Sequence, residues 1–249
     1  MFPIGDDNPT LSKPYVTYGL IGLNVAAWIF IQGFGSRAAL IGSICDLGLT
    51  PGELLGTIPP GTETRLGPGV SCAIQAGSQW YTLLSSMFLH GGWFHLISNM
   101  WFLFVFGNNV EDGMGKIRFI IFYLICGLAA AAAQILANPD SAVPMVGASG
   151  AIGGVMGAYA IMYPRTPVHL LVILGFFITR VSVPAIVMLG YWFLLQVLGA
   201  IPSLSSDGAG VAFWAHVGGF LAGIALVFLF RNRKRLEEHH DVVERMHMV

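Results

Sequence analysis

Six apolar runs dominate the sequence: Tyr15 to Gln32, Trp93 to Val110, Ile117 to Ala137, Val146 to Tyr163, Val181 to Leu198 and Val211 to Phe230. A helix needs about 20 mostly apolar residues to cross a bilayer. Within lipid each backbone N–H and C=O must be satisfied inside the element, so runs of this kind fold as helices. Composition agrees: 55% of the 249 residues are hydrophobic and 10% are charged, where an ordinary soluble domain carries about a quarter charged. Mean hydropathy is +0.72. The expected fold is all-α, a polytopic, multi-pass integral membrane protein with a six-transmembrane-helix bundle over residues 15–230. A short segment, 1–14, precedes it, a charged tail, 231–249, follows, and one long loop spans about 33–92.

A further apolar stretch, Val168 to Ile178, lies between Pro167 and Arg180. It is short for a span and reads as an interfacial or re-entrant piece, with a seventh span as the alternative. Charge bears on this choice. If the N-terminus is cytoplasmic, that side carries Lys13, Lys116, Arg118, Arg165, Arg180 and the cluster Arg231, Arg233, Lys234 and Arg235, against Arg37 and Arg65 on the other. The positive-inside rule then places both termini in the cytoplasm, and a seventh span would break the agreement. A bacterial cytoplasmic (inner) membrane fits this reading. Residues before Tyr15 lack the pattern of a removable signal peptide, so the first run reads as a retained anchor.

Twelve basic and 13 acidic residues nearly cancel, which gives no basic field for nucleic acid. The three cysteines, Cys45, Cys72 and Cys126, have no metal-ligand spacing, and no cofactor or metal is expected. Cys45 and Cys72 share the long loop and are either disulfide-bonded, if that compartment oxidises, or two free thiols.

Polar groups are costly in lipid, so the few within the runs carry the functional argument. His95 and Asn99 lie four apart on one helical face. Ser149 begins the fourth run and His216 sits early in the last. Glu111 and Asp112 close the second run at its cytoplasmic edge, and the span interiors hold no Asp or Glu. Taken singly, such a serine or histidine reads as a packing or hydrogen-bonding residue. Together they supply a nucleophile and a base: a serine hydroxyl needs its proton removed, and a neutral imidazole suits that work near neutral pH. Ser149, Gly153 and Gly157 recur at i, i+4, and His216, Gly219 and Gly223 at i, i+3 and i+7. Such small-residue stripes let two helices approach closely, bringing Ser149 toward His216. Gly147 and Ala148 lead into the fourth helix, whose unpaired N–H groups would face an oxyanion, with His95 and Asn99 adding side-chain donors or simply bonding between helices.

The motifs GASGA around Ser149, AHVGG with Gly223, HLISN from His95 to Asn99 and FLHGG from Phe88 to Gly92, in that family's order, resemble the rhomboid family of intramembrane serine proteases. The resemblance implies a catalytic Ser149/His216 dyad without a third carboxylate, and an oxyanion site from His95, Asn99 and the N–H groups of Ala148 and Ser149. It implies a membrane-dipping first loop around Trp80. It also implies a substrate gate in the fifth span around Trp192 and Gln196, with a cap from Ser203 to Gly210. Two positions depart from the family pattern. Tyr81 follows Trp80 where arginine is frequent, and Gly153 stands where some members place a ring against the histidine, so another side chain must hold His216. Ala151 occupies the place of the second glycine of the soluble G-x-S-x-G elbow, which leaves an α/β-hydrolase unsupported.

The expected function is therefore an intramembrane serine endopeptidase acting on single-span transmembrane proteins in the lipid bilayer. Two alternatives are an inactive rhomboid-like protein that binds transmembrane clients, and a small membrane transporter. The first should have lost Ser149 or His216, and the second should show repeats or acidic coupling residues.

Overall fold

A computed structural model describes residues 2–77, 79–175, 177–202 and 211–247. The chain is mostly helical. Six apolar helices correspond to the six runs: α1 (Tyr15–Phe30), α5 (Trp93–Met114), α6 (Lys116–Ala137), α7 (Ser149–Met162), α8 (Ala185–Ala200) and α9 (Phe213–Phe230). Short helices α2 (Arg37–Leu47), α3 (Pro51–Leu55) and α4 (Thr82–Ser85) lie in the long loop, and α10 (Arg233–His247) follows the bundle. Among the described residues, α6 and α9 are long and apolar enough to cross a membrane on length and composition, while α1, α7 and α8 are shorter apolar helices.

The all-α expectation needs correction, because five strands accompany the helices. Strands β2 (Glu63–Gly67) and β3 (Val70–Ala73) form a hairpin in the long loop. Strands β1 (Phe2–Asp6), β4 (Pro167–Leu174) and β5 (Phe177–Pro184) form an antiparallel sheet in the order β1-β4-β5. Residues 168–178, read as an interfacial or re-entrant piece with a seventh span as the alternative, hold no spanning helix among the described residues; most of them belong to a hairpin in which Val168 pairs with Val183 and Leu174 with Phe177. The segment is rich in β-branched residues, and hydropathy cannot tell a short apolar strand from a short apolar helix. For the same reason the fifth helix begins at Ala185, after Pro184, rather than at Val181.

Helix α7 forms the axis of the bundle. All its residues from Gly150 to Ala160 are buried, against α5, α6 and α9. Its closest neighbour is α9, and the glycines explain why. A Cβ on Gly219 would collide with the carbonyl oxygen of Gly150, one on Gly223 with that of Gly154, and one on Gly157 with that of Phe220. Gly153 faces the His216 carbonyl oxygen, 3.2 Å from where a Cβ would sit. Two rows of α7 glycines therefore meet α9, where the sequence stripe suggested one.

At 14 residues, α7 is about 21 Å long, against about 33 Å for the 22-residue α5 and α6. The segment leading into α7 is pinned from the long loop: Leu49 and Met145 exchange backbone hydrogen bonds of 2.9 and 2.8 Å, and the Gly147 N–H donates to the Ser86 carbonyl at 2.9 Å. Cys45 and Cys72 form a disulfide, Cα atoms 5.3 Å apart, which resolves the two alternatives for that pair. Tyr81 donates its hydroxyl to the Asp46 carbonyl at 3.0 Å, an anchor for the loop that needs no arginine. The neighbouring Trp80 is exposed.

At the other end of the bundle the acidic residues close the fold. Pro14 gives α1 no side-chain cap. The buried Glu111 of α5 supplies one, accepting from the N–H groups of Val16 (3.1 Å) and Thr17 (2.8 Å) and from the Thr17 hydroxyl (2.8 Å). A carboxylate at a helix N-terminus satisfies unpaired donors and the positive dipole end together. Asp112 accepts from Leu11 N–H at 2.6 Å and the Ser12 hydroxyl at 2.5 Å, and pairs with Arg235 of α10 at 3.7 Å.

Candidate active site

A cavity of about 570 Å³ opens among α5, α7, α8 and α9, and both Ser149 and His216 line it. Ser149 is the first residue of α7, and His216 lies in the first turn of α9. Their helices cross where glycine permits backbone contact, which puts Ser149 Oγ 2.8 Å from His216 Nε2. Among the described residues no Asp or Glu side chain bonds to either. His216 Nδ1 instead lies 2.8 Å from Gln196 Oε1 on α8. The Trp192 ring, one turn earlier on α8, sits 5.9 Å from the imidazole and the Phe213 ring 6.5 Å from it. These three side chains, from α8 and from α9 itself, hold the histidine where Gly153 offers no ring.

His95 and Asn99 of α5 line the same cavity. Gly147, at φ +135°, brings the chain past the His95 ring: a Cβ there would stand 2.9 Å from His95 Nε2 and 3.3 Å from Ser149 Oγ. Both the backbone angle and the space exclude a side chain. Gly91 N–H donates to His95 Nδ1 at 3.1 Å, which leaves the ring proton on Nε2, facing the serine as a donor. Asn99 Nδ2 spends one N–H on the His95 carbonyl at 2.9 Å and keeps the second. Ala148 has a fully buried side chain and precedes the first turn of α7, so only its backbone can serve. Ser149, His216, His95 and Asn99 thus line one cavity, Trp80 is not among its lining residues, and the segment Ser203 to Gly210 lies outside the described residues.

Gln196 was read from the sequence as part of a gate and not as a partner of histidine. The signal was there: it is the one carboxamide in α8, a turn after Trp192. His169 lies away from the site in β4, with Nε2 2.8 Å from Asp7 Oδ1.

Taken together, these features define a multi-helix protein of membrane-like composition with a serine–histidine pair in a cavity. Residues 77–233, more than half of the chain, match the family model described as Rhomboid domain, and the chain belongs to the rhomboid family. That family is membrane-embedded. RHOMBOID-like protein 5 of Arabidopsis thaliana is 30% identical over 187 residues, 72% of this chain and 53% of that relative. Rhomboid-like protein 11, chloroplastic, of the same plant is 33% identical over 167 residues, 66% and 57%. Rhomboid protease GluP of Bacillus subtilis (strain 168) is 31% identical over 163 residues, 65% and 28%. The chain spans about half the length of the plant relatives, and less of GluP.

Proposed function

We propose that this chain is an intramembrane serine endopeptidase with Ser149 as nucleophile and His216 as general base. The observation that carries the reading is the 2.8 Å contact between Ser149 Oγ and His216 Nε2 inside a cavity. Ser149 Oγ attacks a peptide carbonyl carbon while its proton passes to His216 Nε2. The resulting oxyanion lies against the start of α7, with the N–H groups of Ala148 and Ser149, His95 Nε2–H and the free Asn99 N–H as donors. Collapse breaks the C–N bond, and His216 gives its proton to the leaving amine. Water then attacks the acyl ester, His216 taking a proton from it and returning one to Ser149.

The bundle spans the bilayer six times, with α7 short and surrounded by the others and both termini in the cytoplasm. The disulfide Cys45–Cys72 supports this orientation, since a disulfide in the long loop fits an oxidising side. Substrates are single-span membrane proteins. A substrate helix enters beside α8, which packs on α7 and α9 rather than on α5. Its backbone must unwind near the cut, because a hydrogen-bonded helix hides its carbonyls.

The test is cleavage of a labelled transmembrane substrate by detergent-purified protein. Ser149→Ala and His216→Ala should each lower kcat by about 10⁴-fold or more with an unchanged melting temperature. A fluorophosphonate probe should label the wild type and not Ser149→Ala. Undiminished cleavage in either variant overturns the assignment.

A further inference from the structure

A histidine that acts as base at Nε2 must carry its proton on Nδ1. In water both tautomers are available, but inside an apolar bundle the partner of Nδ1 decides between them. For His216 that partner is Gln196 Oε1 at 2.8 Å. The amide is itself oriented, because Gln196 Nε2 donates to the Trp192 carbonyl, one turn back on α8, at 3.2 Å. Its oxygen is thereby turned to the imidazole, and an amide oxygen can only accept. Gln196 is buried. His95, which lines the same cavity, shows the opposite arrangement: its Nδ1 receives the Gly91 N–H, and its proton is left on Nε2. One cavity thus holds two histidines in opposite tautomers, one with a lone pair toward the serine and one with a donor.

We propose that Gln196 is the positioning residue of this site: its side-chain oxygen accepts from His216 Nδ1–H and so leaves Nε2 free to take the Ser149 proton. The proposal rests on the Ser149/His216 reading. When the serine proton moves to Nε2 the ring becomes an imidazolium with an N–H on each nitrogen, and Gln196 goes on accepting from Nδ1. When Nε2 releases its proton to the leaving amine, the same tautomer is restored. No proton passes to Gln196. The groups facing the imidazole are Ser149 from α7, Trp192 and Gln196 from α8, Phe213 from α9 and, across the cavity, His95 from α5. None of these is a carboxylate, so a neutral amide dipole takes the place that an acid holds in a soluble triad.

Nitrogen NMR on ¹⁵N-histidine-labelled wild type tests the tautomer directly, with the His216 signals assigned by their loss in His216→Asn. The expected spectrum, taken where the ring is neutral, has Nδ1 protonated and Nε2 unprotonated. The reverse tautomer overturns the proposal whether or not the protein cleaves anything. Kinetics give the second arm. Gln196→Leu should lower kcat about 10- to 100-fold with KM within about twofold. Gln196→Glu should keep most of kcat and move the acidic limb of its pH profile up by about one unit, since a carboxylate favours the imidazolium. An unchanged kcat in Gln196→Leu overturns the positioning role, as does a rise in KM alone, which would make Gln196 a substrate contact. Cleavage by Ser149→Ala would instead sink the underlying catalytic reading. If Gln196→Leu does not fold, the wild-type spectrum still decides.

Discussion

Each end of the bundle gathers polar side chains, and the two ends use them in opposite ways. At the end where α1 starts, Glu111 and Asp112 accept from the N–H groups of Leu11, Val16 and Thr17 and from two hydroxyls. Their hydrogen-bonding capacity is spent within the fold. At the end where α7 starts, Ser149, His216, His95 and Asn99 share a cavity of about 570 Å³ and keep capacity in reserve. His95 has a free Nε2–H and Asn99 a free N–H. One network is closed and the other open. The difference shows why burial of a polar group alone does not mark a site.

Substitutions at the two ends should therefore separate stability from activity. The largest effect in this comparison is expected from Glu111→Ala, which strips the first turn of α1 of its acceptor and should cost about 3 kcal/mol of stability. Turnover per folded molecule should stay within about twofold. A lower melting temperature with normal kcat is the expected pair of results, and a normal melting temperature with lost activity would erase the distinction. Next is Asn99→Ala, which removes one of the several proposed oxyanion donors. It should reduce kcat about 10- to 100-fold while leaving the melting temperature within a degree or two. If Asn99→Ala matches Ser149→Ala in its loss of activity, Asn99 does more than donate one bond.

The smallest expected effect belongs to the sheet at the stabilising end. Asp6 in β1 accepts a short hydrogen bond from Tyr159, and burial raises its pKa to about 6 from the usual 3.8. A carboxyl group raised in the folded state favours folding while it is neutral. That contribution is complete below pH 3.8 and is lost as pH rises through about 6. Amide hydrogen exchange in β1 should therefore quicken relative to the bundle helices between pH 4 and 7, by an amount worth about 1–2 kcal/mol. Asp6→Asn, which keeps an acceptor for Tyr159, should abolish the dependence. A pH-independent β1 in the wild type would show that Asp6 is more solvated than its surroundings indicate.

Much of the molecule was legible in its sequence because the deciding forces are local or periodic. Hydropathy located all six apolar helices, and helical spacing put His95 with Asn99. The glycine stripes foretold the approach of α7 to α9, although Gly150 and Gly154 form a second row of that contact. The sheet was not legible. Strand β1 pairs with β4 from more than 160 residues away, as in Phe2 with Leu171, and an apolar run of eight residues fits a strand as well as a turn or two of helix.

What the sequence by itself determined is the solvent the chain requires, its helical character and the pair of residues able to do chemistry. Each follows from side-chain type and period, which every residue carries with it. The tertiary structure decided three further things: that Cys45 bonds Cys72, that Glu111 caps a helix it does not belong to, and that Gln196 faces His216 Nδ1. Each of these depends on where two distant segments come to rest, and a hydrogen bond is a statement about ångströms and angles that no spacing along the chain supplies.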